Sequence, residues 1–204
     1  AEALERKSAQ TMLTAGIHGA YRSGVETMAA TPGVQRVAEG QTASTLHNAA
    51  QAALFITDAR TLMEQPALSS EVFGPASLVV RAKDADELIA VAEQLEGQLT
   101  ATLHLEDADH PLARRLLPVL ERRAGRLLVN GFPTGVEVCH AMVHGGPYPS
   151  TSNAMFTSVG ASAIDRFLRP VCYQDLPDAL LPEALQQANP LGLWRLVDGA
   201  PVRA

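Results

Sequence analysis

The chain has 204 residues, of which 47% are hydrophobic and 19% charged, and its mean hydropathy is +0.04. This composition is typical of a soluble globular chain and excludes the disordered and fibrous classes. Sixteen Lys and Arg against 22 Asp and Glu give a formal net charge of −6 without a basic stripe, so nucleic acids and anionic membranes are not expected partners.

Cysteine content and the first residues indicate the compartment. Cys139 and Cys172 are too few for a disulfide framework in a chain of this length, and they fit a reducing environment. No apolar run approaches the roughly 20 residues that span a bilayer, and the charged first ten residues are unlike a secretory signal. We therefore expect a cytoplasmic protein. Because the chain begins with Ala, we expect either processing or a piece of something longer.

The N-terminal part is predicted to be helical over residues 1–30, with Thr14 as a possible cap. Apolar residues recur there at spacings of four, four and three: Ile17, Tyr21, Val25 and Met28. The Leu-Phe-Ile centre of Ala52–Thr57 predicts a strand, and Ala59–Glu64 predicts a short helix that ends near a proline.

Two further helices follow in the middle of the chain. Asp84 is a candidate cap, and Glu87 three residues later completes a capping-box pattern. Gly97 is expected to end this helix. The second helix is expected to begin at Asp109 and to end at Gly125.

Three predicted strands alternate with these two helices: Leu78–Arg81, Leu99–Leu105 and Arg126–Asn130. The order β-α-β-α-β predicts an α/β fold with a parallel sheet and right-handed crossovers. Ligands in such sheets bind beyond the carboxyl ends of the strands. Those ends lead into Glu106–Asp109 and into the long loop Asn130–Asn153, which is where we expect a site.

The C-terminal part is predicted to contain a helical segment and two kinds of extended structure. Ala161–Phe167 has a helical pattern, and Phe167–Gln174 is expected to be extended, with its proline restricting it to an edge or a bulge. Asp198-Gly199 lies between the apolar runs Leu193–Val197 and Ala200–Val202, which predicts a hairpin.

Cysteine and histidine side chains suggest two kinds of chemistry within the long loop. Cys139 would need a nearby base to act as a nucleophile, and His140 points the opposite way on an extended segment, which leaves His144. A structural thiol is the alternative. A metal site at these three residues lacks the second cysteine pair or acidic ligand typical of zinc. The Gly-Gly-Pro segment after His144 has no lysine and is not a phosphate loop.

One short string is more informative because it resembles a family motif. Glu71-Val72-Phe73-Gly74-Pro75 resembles the Glu-x-Phe-Gly-Pro motif of the aldehyde dehydrogenase superfamily, and Val129-Asn130-Gly131 and Gly145-Gly146 resemble two later family segments in order and spacing. The strings at 130–138, 144–149 and 167–171 are similar to the branch that oxidises 2-oxoglutarate semialdehyde, usually with NADP.

The resemblance implies a fold and a set of site residues. Residues 1–160 would be the C-terminal part of the catalytic (substrate) domain, and residues 161–204 an oligomerisation strand and tail. The cofactor would be NADP or NAD. Glu71 would bind the nicotinamide ribose hydroxyls, and Phe73 would pack beside the nicotinamide. Substrate contacts would come from the wall of the aldehyde funnel: Gly135, Val136 and His144.

The sequence also departs from the family pattern. The nucleophilic cysteine belongs upstream of Glu-x-Phe-Gly-Pro, and here no cysteine precedes position 139. The resemblance therefore implies no catalytic residue in this chain, no activity of the chain alone, and assembly into a homo-oligomer through Phe167–Gln174. The alternative is a stand-alone α/β assembly or ligand-binding module without this chemistry, and a third possibility is a Cys139/His144 hydrolase.

Overall fold

The structure is a computed structural model, and it describes residues 1–43 and 45–203. The chain divides into a unit of residues Ala1–Ala163 and a second unit that begins at Ile164. Among the described residues, no helix has both the length and the apolar character needed to cross a membrane.

Five helices and nine strands are present in the described chain. The helices are α1 (Glu2–Glu5), α2 (Ala15–Ala30), α3 (Ala59–Glu64), α4 (Ala85–Gln94) and α5 (His110–Arg123). The strands are β1 (Gln10–Thr11), β2 (Gln35–Glu39), β3 (Ala49–Ala50), β4 (Ala53–Asp58), β5 (Ala76–Arg81), β6 (Gln98–Leu103), β7 (Ala124–Val129), β8 (Arg195–Val197) and β9 (Ala200–Val202). Short 3₁₀ segments lie at Pro66–Ser69, Asp107–Asp109, Ala161–Phe167, Asp178–Leu180 and Glu183–Leu185.

The N-terminal helix is shorter than predicted. A continuous helix over residues 1–30 is wrong, because the chain leaves α1 after Glu5 and forms β1, which pairs antiparallel with β3. The cap at Thr14 is confirmed, since its hydroxyl accepts a hydrogen bond from the Ile17 backbone N–H at 3.1 Å. The predicted apolar face is also confirmed, with Tyr21, Val25 and Met28 buried.

A three-stranded sheet forms the first half of the core. Its order is β2-β4-β5, with β2 antiparallel and β5 parallel to the central β4. Phe55 in β4 is fully buried, and Leu78 lies opposite it in β5. The motif loop Glu71–Pro75 runs directly into β5, so this sheet positions the candidate cofactor residues.

The two predicted capping side chains at the start of α4 both accept hydrogen bonds from backbone N–H groups, but one of them has a different partner from the one predicted. The Asp84 carboxylate accepts from the Glu87 N–H at 2.9 Å. The Glu87 carboxylate accepts from the Lys83 N–H at 2.6 Å instead of from Asp84. The predicted roles of Gly97 and Gly125 as helix terminators are wrong: Leu95 and Ala124 leave their helices with extended backbone, and Gly125 lies within β7.

The second half of the core is the parallel pair β6–β7 with α4 and α5 packed on it. Its buried centre consists of one residue from α4 and three from α5: Ala92, Leu116, Val119 and Leu120. The α/β class and the β-α-β-α-β order are confirmed, but the parallel strands form two separate hydrogen-bonded sheets. Among the described strands, β5 pairs with β4 and β6 pairs with β7, and no ladder joins β5 to β6.

The second unit is built from short segments and one hairpin. β8 and β9 pair antiparallel across Asp198-Gly199, and both turn residues have positive φ, 50° and 80°, as a two-residue hairpin turn requires. The segment Phe167–Gln174, expected to be extended, forms no strand in the described chain: Phe167 ends a 3₁₀ segment, and residues 168–174 are exposed throughout. The amide group of Asn189 exchanges two 3.0 Å hydrogen bonds with the backbone of Leu193.

Candidate cofactor and substrate site

The motif loop Glu71–Pro75 is held against α2 at two glycines. A Cβ atom on Gly24 would lie 2.9 Å from Cγ1 of Val72, so α2 approaches the loop as closely as a residue without a side chain allows. Gly74 lies against the ring of Tyr21: a Cβ there would come within 2.3 Å of Cδ2, and its φ of +152° is rare for other residues. The loop conformation therefore depends on both glycines.

Tyr21 joins this loop to the rest of the core. Its ring is buried beneath Gly74, and its hydroxyl donates a 2.6 Å hydrogen bond to the Gln51 carbonyl. Burial raises the pKa of the Tyr21 hydroxyl, and the charge of Glu39 raises it further. The residue therefore stays neutral through the physiological range and acts as a packing support for the loop.

The side chains of Glu71 and Phe73 lie at the tip of this supported loop. Both are exposed, and 64% of the Phe73 surface is accessible. An exposed aromatic ring offers an apolar face to a flat ring system, and a carboxylate accepts hydrogen bonds from neighbouring hydroxyls. This pair of side chains has the chemistry to hold the nicotinamide and its ribose, as the family motif implies.

Asn130 connects the segments that follow the carboxyl ends of β6 and β7 by hydrogen bonds. It follows β7 with a left-handed φ of 52°. Its side-chain oxygen accepts from the Leu105 N–H and its amide donates to the Leu105 carbonyl, both at 2.9 Å, while its own N–H bonds to Leu103. Asn130 is thus a fixed starting point for the long loop.

The first part of the long loop stays close to the carboxyl end of the sheet. The Phe132 ring lies 5.3 Å from the His104 ring, centroid to centroid, and is 77% exposed. Arg126 donates a 2.8 Å hydrogen bond to the Gly135 carbonyl. Gly135 and Val136, two of the predicted substrate contacts, are therefore exposed on a segment tied to β7.

The second part of the loop returns to the amino ends of the same strands. A Cβ on Gly97 would meet the Pro147 carbonyl oxygen at 2.1 Å, and a Cβ on Gly125 would meet the Gly145 oxygen at the same distance. These two glycines thus permit a direct backbone approach of the loop, which is their physical role in place of helix termination.

His144 lies just before this return segment. Its backbone N–H donates to the Thr157 hydroxyl at 2.8 Å, and its carbonyl accepts from the Ser158 N–H and hydroxyl at 2.9 and 3.0 Å. Its backbone is thus fixed by residues that follow the loop, and its side chain is partly buried.

The five predicted site residues lie on three separate segments of the first unit. Glu71 and Phe73 precede the amino end of β5, Gly135 and Val136 follow the carboxyl end of β7, and His144 leads back toward the amino ends. Within residues 1–43 and 45–203, no hydrogen bond or ion pair links the first two residues to the other three. The long loop, where the sequence predicts a site, begins at the carboxyl end of β7, and its Gly-Gly-Pro part crosses the start of the sheet.

Cys139 is exposed, and its backbone carbonyl accepts from the Ala161 N–H at 3.0 Å. In the described chain, no hydrogen bond joins the side chain of Cys139 to that of His140 or His144, the arrangement that a Cys/His nucleophile needs. Among the same residues, no three His, Cys, Asp or Glu side chains are grouped to hold a metal ion.

Comparison with known proteins identifies the family. The chain is 62% identical over 199 residues to alpha-ketoglutaric semialdehyde dehydrogenase 2 of Azospirillum brasilense, a match that covers 98% of this chain and 38% of the relative. The alpha-ketoglutaric semialdehyde dehydrogenase of Acinetobacter baylyi is 49% identical over 191 residues, covering 93% of this chain and 36% of that protein. The chain belongs to the aldehyde dehydrogenase superfamily. It spans less than two fifths of the length of these two relatives.

The fold agrees with this assignment to the aldehyde dehydrogenases. The crystal structure of delta-pyrroline-5-carboxylate dehydrogenase from Mycobacterium tuberculosis bound with NAD matches 71% of this chain and 25% of that protein, with a TM-score of 0.55 and 19% identity. At this identity the match shows a shared fold. No family model matches the chain.

Sequence reasoning missed two residues that support the site in this aldehyde dehydrogenase chain. The apolar spacing of α2 predicts that Tyr21 is buried, but not that its ring supports the motif loop; the glycine at position 74 is the signal that a large group packs there. The family resemblance accounts for Asn130 only as part of a segment, whereas an asparagine directly after a strand often adopts a left-handed conformation and hydrogen-bonds to nearby backbone.

Proposed function

We propose that this chain forms part of an NAD(P)-dependent aldehyde dehydrogenase that oxidises 2-oxoglutarate semialdehyde to the dicarboxylate. The observation that carries the proposal is the 62% identity to the Azospirillum enzyme over nearly the whole chain. The identity of 49% to the Acinetobacter enzyme, which has the same kind of name, supports the same substrate.

Glu71 and Phe73 would hold the nicotinamide end of the cofactor. The exposed Phe73 ring would pack beside the nicotinamide, and the Glu71 carboxylate would accept hydrogen bonds from the ribose hydroxyls. When bound, the cofactor supplies the acceptor for the hydride of the aldehyde. The M. tuberculosis neighbour, whose crystal structure holds NAD, supports a nicotinamide cofactor of this kind.

The long loop would shape the aldehyde pocket. Gly135 and Val136 are exposed on its first part, and His144 is fixed by its backbone near the return segment. In this proposal they contact the substrate and perform no covalent chemistry. The nucleophile would come from polypeptide outside this chain, because the family motif places it before Glu71 and the two cysteines here lie after it. The chain alone is therefore expected to be inactive.

Assembly into a homo-oligomer is part of the same proposal. The segment 168–174 is exposed and lacks a strand partner within the described chain, and it includes Leu168 and Val171, both more than half exposed. Such a segment is suited to join the sheet of a neighbouring subunit.

A chimeric enzyme tests the proposed activity. The region of the Azospirillum protein that matches this chain is replaced by this chain, and reduction of NAD and of NADP is measured with 2-oxoglutarate semialdehyde and with propanal. We expect turnover with a preference for the semialdehyde by the chimera and none by the chain alone. A soluble, folded chimera that oxidises neither aldehyde would refute the proposal.

A charge-neutral variant tests the role of Glu71 within the chimera. Hydrogen bonds to a charged group contribute about 1.5–3 kcal/mol, so Glu71→Gln is expected to reduce kcat/KM for the cofactor by about 10- to 100-fold. Glu96→Gln, at another exposed glutamate, is the matched control and is expected to leave the kinetics unchanged. Equal kinetics for the two variants would contradict the role of Glu71.

A further inference from the structure

The side chain of Arg126 contacts the long loop at two points. Arg126 lies within β7, and its side chain is partly buried. Its Nη1 atom donates a 2.8 Å hydrogen bond to the Gly135 carbonyl and lies 3.7 Å from the sulfur of Met142. Gly135 belongs to the first part of the loop, whereas Met142 lies close to the return segment. One guanidinium group therefore connects both parts of the loop to β7.

The backbone around Met142 is fixed by a glycine that follows the loop. A Cβ on Gly160 would lie 2.7 Å from the Met142 carbonyl oxygen and 3.0 Å from that of Cys139, and the φ of Gly160 is +107°. The Ala161 N–H also donates to the Cys139 carbonyl at 3.0 Å. The turn of residues 139–142 therefore packs directly on the backbone at Gly160, and the Arg126 guanidinium lies between this turn and β7.

The charge of Arg126 is not neutralised within the described chain. Among residues 1–43 and 45–203, no carboxylate forms an ion pair with Arg126, not even that of Glu137, which is exposed on the same loop. In the same residues, its buried Nε atom makes no hydrogen bond. A carbonyl oxygen and a thioether sulfur, the two groups near Nη1, are both neutral.

An arginine in this position favours an anion. Burial removes the water that solvates a charge, so buried charges are normally paired. A guanidinium does not escape this cost by losing its proton, because its pKa lies far above the physiological range. Holding the Gly135 carbonyl requires a hydrogen-bond donor but no charge. The charge of Arg126 is therefore the feature that the loop contacts leave unexplained.

The neighbouring residues indicate a carboxylate on the aldehyde. Gly135, whose carbonyl binds the guanidinium, and Val136 are the proposed substrate contacts. The proposed substrate, 2-oxoglutarate semialdehyde, has a carboxylate at the end opposite to its aldehyde group. A planar guanidinium binds a carboxylate through short, charge-assisted hydrogen bonds.

We propose that Arg126 binds the carboxylate of the substrate and thereby selects 2-oxo acid semialdehydes over neutral aldehydes. This role deepens the proposed function and rests on it. The carboxylate is remote from the carbon that is oxidised, so its bond to Arg126 is the same in the ground state and the transition state. Such a bond lowers KM and leaves kcat nearly unchanged.

Kinetics of the chimera with two aldehydes of equal length test the role of Arg126. The substrates are 2-oxoglutarate semialdehyde and pentanal, which has no carboxylate. We expect Arg126→Gln to lower kcat/KM for the semialdehyde by about 10- to 100-fold, through KM, and to change that for pentanal by less than about threefold. Arg114→Gln, at an exposed arginine of α5, is the matched control and should leave both values unchanged.

The conservative variant separates charge from geometry. Arg126→Lys keeps the charge but loses the planar fork, so we expect an intermediate loss confined to the semialdehyde. It also serves as the test if Arg126→Gln does not fold. Equal losses with both aldehydes would show that Arg126 only holds the loop, and unchanged kinetics would show that it contacts no substrate. Either result would overturn the proposal.

Binding of 2-oxoglutarate decides the question without catalysis. A folded chimera that oxidises neither aldehyde would refute the proposed function, and titration calorimetry with 2-oxoglutarate on the same proteins would then test Arg126 alone. We expect Arg126→Gln to weaken binding at least about tenfold and Arg114→Gln to leave it unchanged. A parent chimera that does not bind 2-oxoglutarate, or equal affinities of parent and Arg126→Gln, would overturn the role of Arg126.

A carboxylate of the polypeptide outside this chain is the other source of the same chemistry. Such a partner would stabilise the substrate-free chimera, so Arg126→Gln would lower the Tm of the chimera more than that of the isolated chain. We expect similar falls in both proteins, and a larger rise in Tm on adding 2-oxoglutarate to the parent chimera than to the variant. A fall specific to the chimera, with no difference between the aldehydes, would assign Arg126 to a protein carboxylate and overturn the proposal.

Discussion

Replacing Gly74 with alanine tests how the motif loop is supported. The added Cβ would lie 2.3 Å from Cδ2 and 2.8 Å from Cε2 of Tyr21, distances that real Cβ atoms do not show. The ring or the loop must therefore move. Because Tyr21 is buried and hydrogen-bonded to Gln51, either movement lowers the free energy of unfolding.

The expected loss of stability follows from three contributions. Overpacking a filled core costs about 1–3 kcal/mol. A residue other than glycine at a φ of +152° adds about 1–3 kcal/mol, and losing the hydrogen bond of the Tyr21 hydroxyl adds about 1 kcal/mol. A central value of about 5 kcal/mol corresponds to a fall in Tm of about 10–20 °C for a chain of this length.

Thermal denaturation followed by circular dichroism measures this effect on the isolated chain. Gly135→Ala is the matched control, because nothing lies within 4 Å of a Cβ at that position and its Tm should change little. Tyr21→Leu in the Gly74→Ala background gives the coupling: the second substitution should cost less there than in the parent chain, since the ring that clashes has been removed.

Two results would refute this reasoning. A Gly74→Ala protein that melts within about 2 °C of the parent would show that the loop relaxes freely, against the overpacking expected of a filled core. Additive effects of Gly74→Ala and Tyr21→Leu would show that the two residues do not contact each other in solution.

Three further outcomes follow from hydrogen bonds and charges in the first unit. Asn130→Ala removes both hydrogen bonds to Leu105 and a residue that tolerates positive φ, so we expect a loss of about 2–4 kcal/mol by urea denaturation, with Asn130→Gly losing less because it keeps the backbone freedom. A hydrogen bond from the backbone N–H of Thr61 lowers the pKa of the Asp58 carboxyl in the folded protein. Asp58 therefore stabilises the fold at a pH above its pKa in the unfolded chain, and this stabilisation is lost as the pH falls through its pKa in the folded protein. The difference in Tm between Asp58→Ala and the parent chain should therefore become smaller in acid. Burial raises the pKa of Tyr21, so its contribution is present below about pH 10 and lost as the pH rises through the folded value, and Tyr21→Phe should make alkaline melting less sensitive to pH.

Local features of the fold were predictable because short-range chemistry determines them. The hydroxyl of Thr14 and the carboxylate of Asp84 cap helices by bonding to N–H groups three residues ahead, and this pattern is visible in any sequence. The spacing of Tyr21 and Val25 places both on one helix face. Neither prediction requires knowledge of distant parts of the chain.

Features that depend on distant contacts were not predictable in the same way. Gly97 and Gly125 follow helical patterns and therefore indicate helix ends, whereas the reason for glycine is a loop carbonyl that arrives from about 20 to 50 residues away. Strand pairing also depends on distant contacts. The order β-α-β-α-β predicts that the strands run parallel, but it does not predict which strands are neighbours, so the absence of pairing between β5 and β6 cannot be read from the sequence.

The candidate site was predicted by resemblance more than by physics. Glu71 and Phe73 belong to a recognisable motif, and their exposure suits a ligand. The position of His144 was not predictable from the sequence, because the course of a long loop depends on its contacts with the sheet. The return of the Gly-Gly-Pro segment to Gly97 and Gly125 and the hydrogen bonds of the His144 backbone with Thr157 and Ser158 together determine where His144 lies.

The long loop is attached at several points rather than only at its ends. Besides Asn130 and Gly145, hydrogen bonds hold Gly135 to Arg126, Cys139 to Ala161 and His144 to Thr157. Lengthening a short exposed span between two such attachments is cheap, since doubling a flexible loop costs only about 0.6 kcal/mol in closure entropy. An engineer can therefore insert residues between attachments, for example after Val136, while leaving the attachments and the sheet below them untouched.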